Sequence, residues 1–436
     1  MKKVVWKWNL IQLCKNELDA RYQNALRGGL LCKCTMKIKY IILLFLITGS
    51  QFVTSQSKTG GLPVIDISKI LPQKQLILQE IADIEYVRLE TTDDVLLCGL
   101  SNRDISVLSF VSDKYIIVYE QMRGDIFIFN RNGKIVSHFN HRGGSGQEYS
   151  FIDSSGGIIF DEKNEEIFVC TRLTIQVYSL SGKYIRTLKF NSTGYSEVYD
   201  FDDESLLVFD EVNNIDNIKP VNNPYRLISK KDGSTIYVLD INLSQRYSRT
   251  FRENYMKDKG GNYISQGWTT SIGNNMHYGQ DFIIADMSSD TMYLLNRNRE
   301  LTPLLVRSPS VHASEPRTVW AVRFTTDKYM MFWTITLDWS KVGERFGMSK
   351  STKVFTYEFE TGELSDLSFV SNDFPEFAWT GPSCPVAIGK NMTAELLLVS
   401  LLKEYAFKKL LKGDLEKLVA SIDEDDNPIV RIIKFK

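Results

Sequence analysis

The sequence predicts an all-β chain folded as a six-bladed β-propeller, with a short helical insertion before a ring-closing C-terminal strand. Three observations predict it. One strand–turn–strand–turn–strand unit recurs along the chain, its turn glycines fall at a period near 50 residues, and its strands are apolar at every position. A period of about 40–50 residues with several strands in each marks propeller blades.

The clearest unit runs Tyr115–Tyr119 (YIIVY), a turn through Arg123-Gly124, then Ile126–Phe129 (IFIF). The turn Asn130-Arg131-Asn132-Gly133 then leads into Lys134–Phe139. A second unit reads Glu166–Cys170, Thr174–Tyr178, Ser181-Gly182 and Lys183–Leu188. A third reads Ser205–Phe209, Tyr225–Ser229, Asp232-Gly233 and Thr235–Leu239. Weaker units span Asp281–Val306 and Lys328–Phe369. Asn-Gly and Asp-Gly suit hairpin turns because both central residues of a type I′ turn need positive φ. Gly133, Gly182 and Gly233 lie 49 and 51 residues apart, and later equivalents near Arg299 and at Gly362 are spread by insertions.

A sheet with one wet face alternates apolar and polar residues, whereas IFIF and YIIVY do not alternate. Continuous runs mean burial on both faces, as in parallel α/β sheets or in blades sandwiched around a ring. The connections are short, rich in Gly and Asn, and non-helical, which selects the ring. From Gln56 to Lys436 there are 381 residues, enough for six blades of somewhat over 60 each.

The C-terminal stretch departs from the repeat. Leu396–Leu402 reads as a strand or helix start, and Lys403–Ile422 has helical spacing. Asp425-Asp426-Asn427-Pro428 ends it, and Ile429–Phe435 (IVRIIKF) reads as the last strand. That strand and Ile84–Leu89 are expected to close the ring together.

The N-terminus reads as a leader. Met36-Lys37-Ile38-Lys39 is basic, Tyr40–Ile47 is apolar, and small residues follow at Thr48-Gly49-Ser50 and Val53-Thr54-Ser55. Basic, then apolar, then small is the order of a secretory signal. The apolar run is far short of the roughly 20 residues of a spanning helix. No cysteine follows it to carry a lipid anchor. The expected organisation is an upstream extension at 1–35, with translation starting at Met36, a signal peptide at 36–55 and the propeller at 62–436. The location expected is the periplasm or the cell surface.

Residues 1–55 hold nine Lys/Arg and two Asp/Glu of the chain's 52 and 53, leaving 43 basic and 51 acidic residues, about −8. Such a balance disfavours nucleic acid, where phosphate neutralisation supplies most of the affinity. Cys32 and Cys34 form a lone C-x-C, which is weak evidence for metal. Beyond them only Cys98, Cys170 and Cys384 remain, too few for a disulfide framework, and Cys170 reads as a small buried side chain.

Five stretches carry a family resemblance: Val87-Arg88-Leu89-Glu90-Thr91-Thr92; Asp113–Val118 with Ile128–Lys134; His141-Arg142-Gly143-Gly144-Ser145-Gly146-Gln147-Glu148-Tyr149; Asp290-Thr291-Met292-Tyr293; and Asp425-Asp426-Asn427-Pro428. Together they resemble a large bacterial family of six-bladed propeller proteins related to NHL-repeat propellers, over residues 64–436. Ser145 and Gly146 stand where that family usually has Gly-Pro. The resemblance implies export and a propeller, and it implies no known activity.

No G-x-S-x-G, H-E-x-x-H, phosphate-binding G-x-x-x-x-G-K or EF-hand loop occurs. His138 and His141 straddle a strand end and should point apart as ordinary surface histidines. The loop Arg142–Tyr149 is the first candidate site. Its glycines could cradle an anion beside Arg142, or it could simply cross between blades, tied by Arg142 or Glu148. Trp333 lies in an apolar strand, whereas Trp268 (SQGWTT) and Trp339 (LDWSKVG) lie in polar insertions and could stack on sugar rings. The acidic runs Asp200–Glu204 and Asp423–Asp426 could hold calcium, though turns and solvated faces account for them as well; no other cofactor is expected.

Two functions are carried forward. The first is a monomeric binding or scaffold propeller of the cell envelope, meeting a glycan, a peptide or a partner protein through Arg142, Glu148, Tyr149, Trp268 and Trp339. The second is a metal-dependent hydrolase or lyase, lactonase-like, with Asp, Glu, Asn or His converging in the central channel. Metal content separates them.

Overall fold

The computed structural model describes residues 61–436 apart from 99–105, 153–156, 172–173, 190–196, 210–222, 242, 244, 246–249, 258–262, 270–274, 314–315, 338–351 and 375–385. The expected leader at 36–55 and the extension at 1–35 lie outside the described residues. The chain opens with Val64–Asp66 (β1), Gln73–Ile77 (β2), one helical turn Leu78–Ile81 (α1), and Ala82–Arg88 (β3). Blade 1 follows as Ser106–Val111 (β4), Tyr115–Glu120 (β5), Asp125–Asn130 (β6) and Ile135–Asn140 (β7). Blade 2 is Ile158–Asp161 (β8), Glu166–Cys170 (β9), Thr174–Ser179 (β10) and Tyr184–Lys189 (β11). Blade 3 is Glu197–Asp200 (β12), Ser205–Phe209 (β13), Tyr225–Ser229 (β14) and Thr235–Val238 (β15).

A two-stranded hairpin, Thr250–Lys257 (β16) and Tyr263–Thr269 (β17), interrupts the series, and only its backbone is described. Blade 4 is Asn275–Tyr278 (β18), Asp281–Ile284 (β19), Thr291–Leu295 (β20) and Leu301–Ser308 (β21). Blade 5 is Arg317–Thr325 (β22), Tyr329–Leu337 (β23), Thr352–Glu358 (β24) and Leu364–Val370 (β25). Blade 6 begins with Val386–Gly389 (β26) and Met392–Leu397 (β27). Two helices, Val399–Phe407 (α2) and Gly413–Ala420 (α3), precede its third strand, Ile429–Phe435 (β28).

The ring closes as expected. β28 pairs antiparallel with β27 on one side and with β3 on the other, from Ile429 opposite Arg88 to Phe435 opposite Ala82. The N-terminal strand is therefore the outer strand of the last blade. The buried Asn427 side chain locks the seam: its Oδ1 accepts Leu97 N–H at 2.7 Å, and its Nδ2 donates to Glu90 O and Val95 O at 2.7 and 2.8 Å. Two stretches that carry the family likeness thus meet at one joint.

The sequence repeat did not reveal β1 and β2. They add in parallel as fifth strands to the outer edges of blades 4 and 5. Residues 64–88 thereby clasp three successive blades from outside.

Continuous apolar strands are buried on both faces because each lies between two neighbours. Ile116 and Val118 of β5 pack with Val430 and Ile432 of blade 6, while Ile117 and Tyr119 pack with Phe160 and Ile167 of blade 2. The same alternation joins blade 2 to 3 through Phe168, Val177 and Val208, and blade 3 to 4 through Leu207, Leu227 and Phe282. Blades 4 and 5 share the largest cluster, which includes Trp320, Phe324 and Trp333.

Candidate functional site

The order of strands sorts the loops. Turns between first and second strands, and between third and fourth, share one face and span at most five residues, as from Lys230 to Ser234. The other face receives the second-to-third and blade-to-blade connections, which include every long insertion. On it lie Arg142–Tyr149, the β16–β17 hairpin, helices α2 and α3, and the strand ends Leu337 and Thr352.

The innermost strands β4, β8, β12, β18 and β26 enclose a channel cavity of about 480 Å³. Phe110, Phe160 and Ile388 give it hydrocarbon walls, and Tyr199, Asp200 and His277 bring polar atoms. Tyr199 donates its hydroxyl hydrogen to Glu197 Oε2 at 2.7 Å and stands edge-on to Phe282. The Asp200 carboxylate pairs with Lys230 Nζ at 2.7 Å, and Lys230 also binds Asp161 Oδ2 at 2.8 Å. Lys230 and Asp161 have side chains only 7% and 6% exposed, so one buried ammonium bridges blades 2 and 3 between two carboxylates.

Burial raises the Asp200 carboxyl above its usual range despite Lys230. At Asp161 burial is outweighed by hydrogen bonds from Lys230 and Asn164, and the carboxyl is lowered. Burial also opposes the charge on Lys230, but Asp200 and Asp161 together hold it above the ordinary lysine value. His277 is pushed down to about 4 by burial, with Arg297 adding repulsion. Such a lining can embrace an apolar body and hydrogen-bond one polar end. Among the described residues no group of three or more His, Cys, Asp or Glu is placed to hold a metal ion.

His277 gives a pH test. Its folded pKa lies below the unfolded value, so it lowers stability as pH falls from about 6.5 through 4, and that loss is absent at neutral pH. His277→Gln should remove about 2 kcal/mol of the acid-side loss over that window. Urea midpoints at pH 7 and pH 4.5 measure it; parallel curves for both proteins would show that the imidazole does not titrate this way.

The predicted loop Arg142–Tyr149 is built from its own residues. Glu148 Oε2 accepts Ser145 N–H at 2.8 Å, and a Cβ on Gly143 would lie 2.0 Å from that carboxylate. The glycine backbone therefore already cradles an anion, and these hydrogen bonds hold Glu148 below the usual carboxylate range. Tyr149 is buried, donating to Gly124 O at 2.6 Å and accepting His141 N–H at 2.9 Å. Burial raises its phenol. Arg142 binds Ser150 O at 3.1 Å and Met122 O, yet the residue stays exposed.

The two nearby histidines do diverge: His138 stacks on Phe127 at 4.3 Å and meets Asp125 at 3.0 Å, while His141 stacks on Tyr178 and donates to Gly182 O. Each ring lies flat on a neighbouring aromatic, with His138 exposed and His141 half-buried.

Trp268 lies in β17, where only the backbone is described, and Trp339 lies outside the described residues. The acidic runs are engaged locally. Asp202 Oδ1 accepts the Glu204 and Ser205 N–H groups, Asp203 pairs with Lys163, and Asp426 accepts from Asp423 N and Arg88. Asp200 and His277 went unrecognised as channel residues. Asp200 ends a four-residue strand and His277 is the third residue of another, and no local motif tells which strand is innermost.

A Bacteroides fragilis protein described as exported, BF0058, has a similar structure, with a TM-score of 0.56 at 13% identity over 86% of this chain and 100% of that one. A DUF4221-family member from Bacteroides vulgatus aligns over 82% of this chain and 99% of that one, at 10% identity and a TM-score of 0.42, too low to carry an argument. These likenesses concern the fold alone. None of the curated proteins matches the chain. Residues 62–434 match the family model of DUF4934, a domain of unknown function, and the chain belongs to that bacterial propeller family.

Proposed function

We propose that the chain is an exported binding or scaffold propeller of the bacterial cell envelope, whose long-loop face meets a glycan, a peptide or a partner protein. One observation carries this reading: every long insertion leaves from a single face, while the opposite face is trimmed to turns of five residues or fewer. Insertions on a rigid ring are where binding groups accumulate. Export is supported by the basic, apolar and small segments of residues 36–55, and by the B. fragilis relative described as exported.

In this reading Glu148 and Tyr149 shape the loop, and Arg142, held by two carbonyls yet exposed, offers an ordered cation to the ligand. In the same reading the ligand also stacks on Trp268 and Trp339, the two tryptophans of the polar insertions. No cofactor is needed, and the protein acts as a monomer. Glycan and peptide arrays probed with the chain from Gln56 onward should yield a ligand. Arg142→Ala or Trp268→Ala should weaken its binding about tenfold or more, as hot-spot residues do. Hydrolysis of lactones, esters or glycans at enzyme-like rates, or a stoichiometric metal ion, would overturn the proposal.

A further inference from the structure

The helical insertion of blade 6 ends in a tip that the fold does not explain. Its inner side is ordinary core: Val399, Leu402, Leu411, Leu415 and Val419 pack with Phe374 and Ile429. Helix α2 then stops at Phe407. Lys409 takes a left-handed φ of 55°, and the Lys409 and Leu410 N–H groups return to Ala406 O and Tyr405 O. This reversal thrusts Phe407-Lys408-Lys409-Leu410 outward. Phe407 is 89% exposed and Leu410 39%. An isolated exposed leucine needs no account, but an aromatic projecting this far gains nothing from folding.

The loop between the two helices, residues 407–412, carries charge of one kind, and the acids that flank it, Glu404 and Asp414, are paired with Lys408 and Lys417. Lys408, Lys409 and Lys412 surround the two apolar residues in a chain that is acidic beyond residue 55. Lys408 pairs with Glu404 at 2.6 Å, whereas among the described residues neither Lys409 nor Lys412 forms an ion pair. An aromatic flanked by lysines, two of them without a carboxylate partner among the described residues, fits a surface with a negative headgroup layer over hydrocarbon.

We propose that the α2–α3 tip is a contact site for an anionic phospholipid surface: Phe407 and Leu410 enter the headgroup boundary, and Lys409 and Lys412 meet the phosphates. The contact is peripheral and reversible, and it is independent of whatever ligand the ring binds.

The chain from Gln56 onward, which contains every described strand of the ring, is sedimented with vesicles. One set is equal phosphatidylglycerol and phosphatidylcholine, the other phosphatidylcholine alone. Partition should favour the anionic vesicles at least about fivefold and collapse in high salt. Phe407→Ser should reduce it about tenfold, and Lys409→Glu with Lys412→Glu should bring it to background. All three positions are exposed, so thermal midpoints should match the parent and show that folding is intact. Equal partition to neutral vesicles, or variants that bind like the parent, would overturn the proposal. So would a concentration-dependent dimer that Phe407→Ser dissolves, since the tip would then be a contact between copies. Array binding that persists in these variants separates this site from the long-loop face.

Discussion

Gly133→Ala is expected to destabilise the protein by about 3–5 kcal/mol, among the largest losses for a single methyl group. The turn holds Gly133 at φ 78°, where an L-residue is strained. Space is the harder limit. A Cβ there would sit 1.9 Å from the Arg88 carbonyl oxygen, 2.9 Å from its carbon and 3.1 Å from Val87 Cγ1. The obstacle is backbone, and that backbone cannot retreat, because Arg88 is paired in register with Ile429 and Glu90 N–H donates to Gly133 O at 2.7 Å. Alanine must therefore open the joint between blade 6 and blade 1, where the ring closes. Gly144→Ala and Gly146→Ala are the controls, since nothing lies within 4 Å of either added methyl group. Guanidinium titrations read the difference; a Gly133→Ala midpoint equal to that of the controls would mean the seam is not packed this way.

That glycine also shows how the sequence encodes the ring. Gly133, Gly182 and Gly233 recur with the period because each makes the same contact. Each approaches the end of the outer strand of the preceding blade, at Arg88, at Phe139, and at Leu188 and Lys189. Positive φ explains a glycine in a turn, but close approach explains why it repeats. In blade 4 the equivalent residue is Arg299, also at positive φ, and its guanidinium lies over Tyr237 of the exposed strand β15.

The blades were legible because double-sided burial writes itself into consecutive residues, as in IFIF. The clasp formed by β1 and β2 was not legible. Strands of three and five residues at a sheet edge bury little, and their partners Val306 and Leu367 lie hundreds of positions away. The candidate site divides in the same way. Arg142–Tyr149 stood out through its glycines, although their role as a cradle for Glu148 depends on a side chain folding back within the loop. The channel residues Asp200 and His277 carry no signal at all, since facing inward is a property of the ring and not of the strand.

Lys230→Met should cost about 3–5 kcal/mol at pH 7, because it leaves Asp161 and Asp200 facing each other without their cation. Methionine fills most of the same volume, so the loss is electrostatic. The sign can be checked by pH. In the parent protein Asp161 is held below its ordinary value, so its contribution is present above about pH 4 and fades as pH falls. Without the ammonium, burial and mutual repulsion raise both carboxyls above their unfolded values. Their neutral forms then favour folding at low pH, and that support is lost as pH rises. The penalty should consequently shrink between pH 7 and pH 4. On the alkaline side Lys230 is raised, so the parent carries a contribution that is full below the unfolded lysine value and lost above the folded one; the variant lacks it. Lys163→Met breaks the exposed pair with Asp203 and should leave the midpoint unchanged, since such pairs add little. A Lys230→Met penalty that is the same at pH 4 and pH 7 would mean that the ammonium fills space between blades 2 and 3 and does not neutralise the carboxylates beside it.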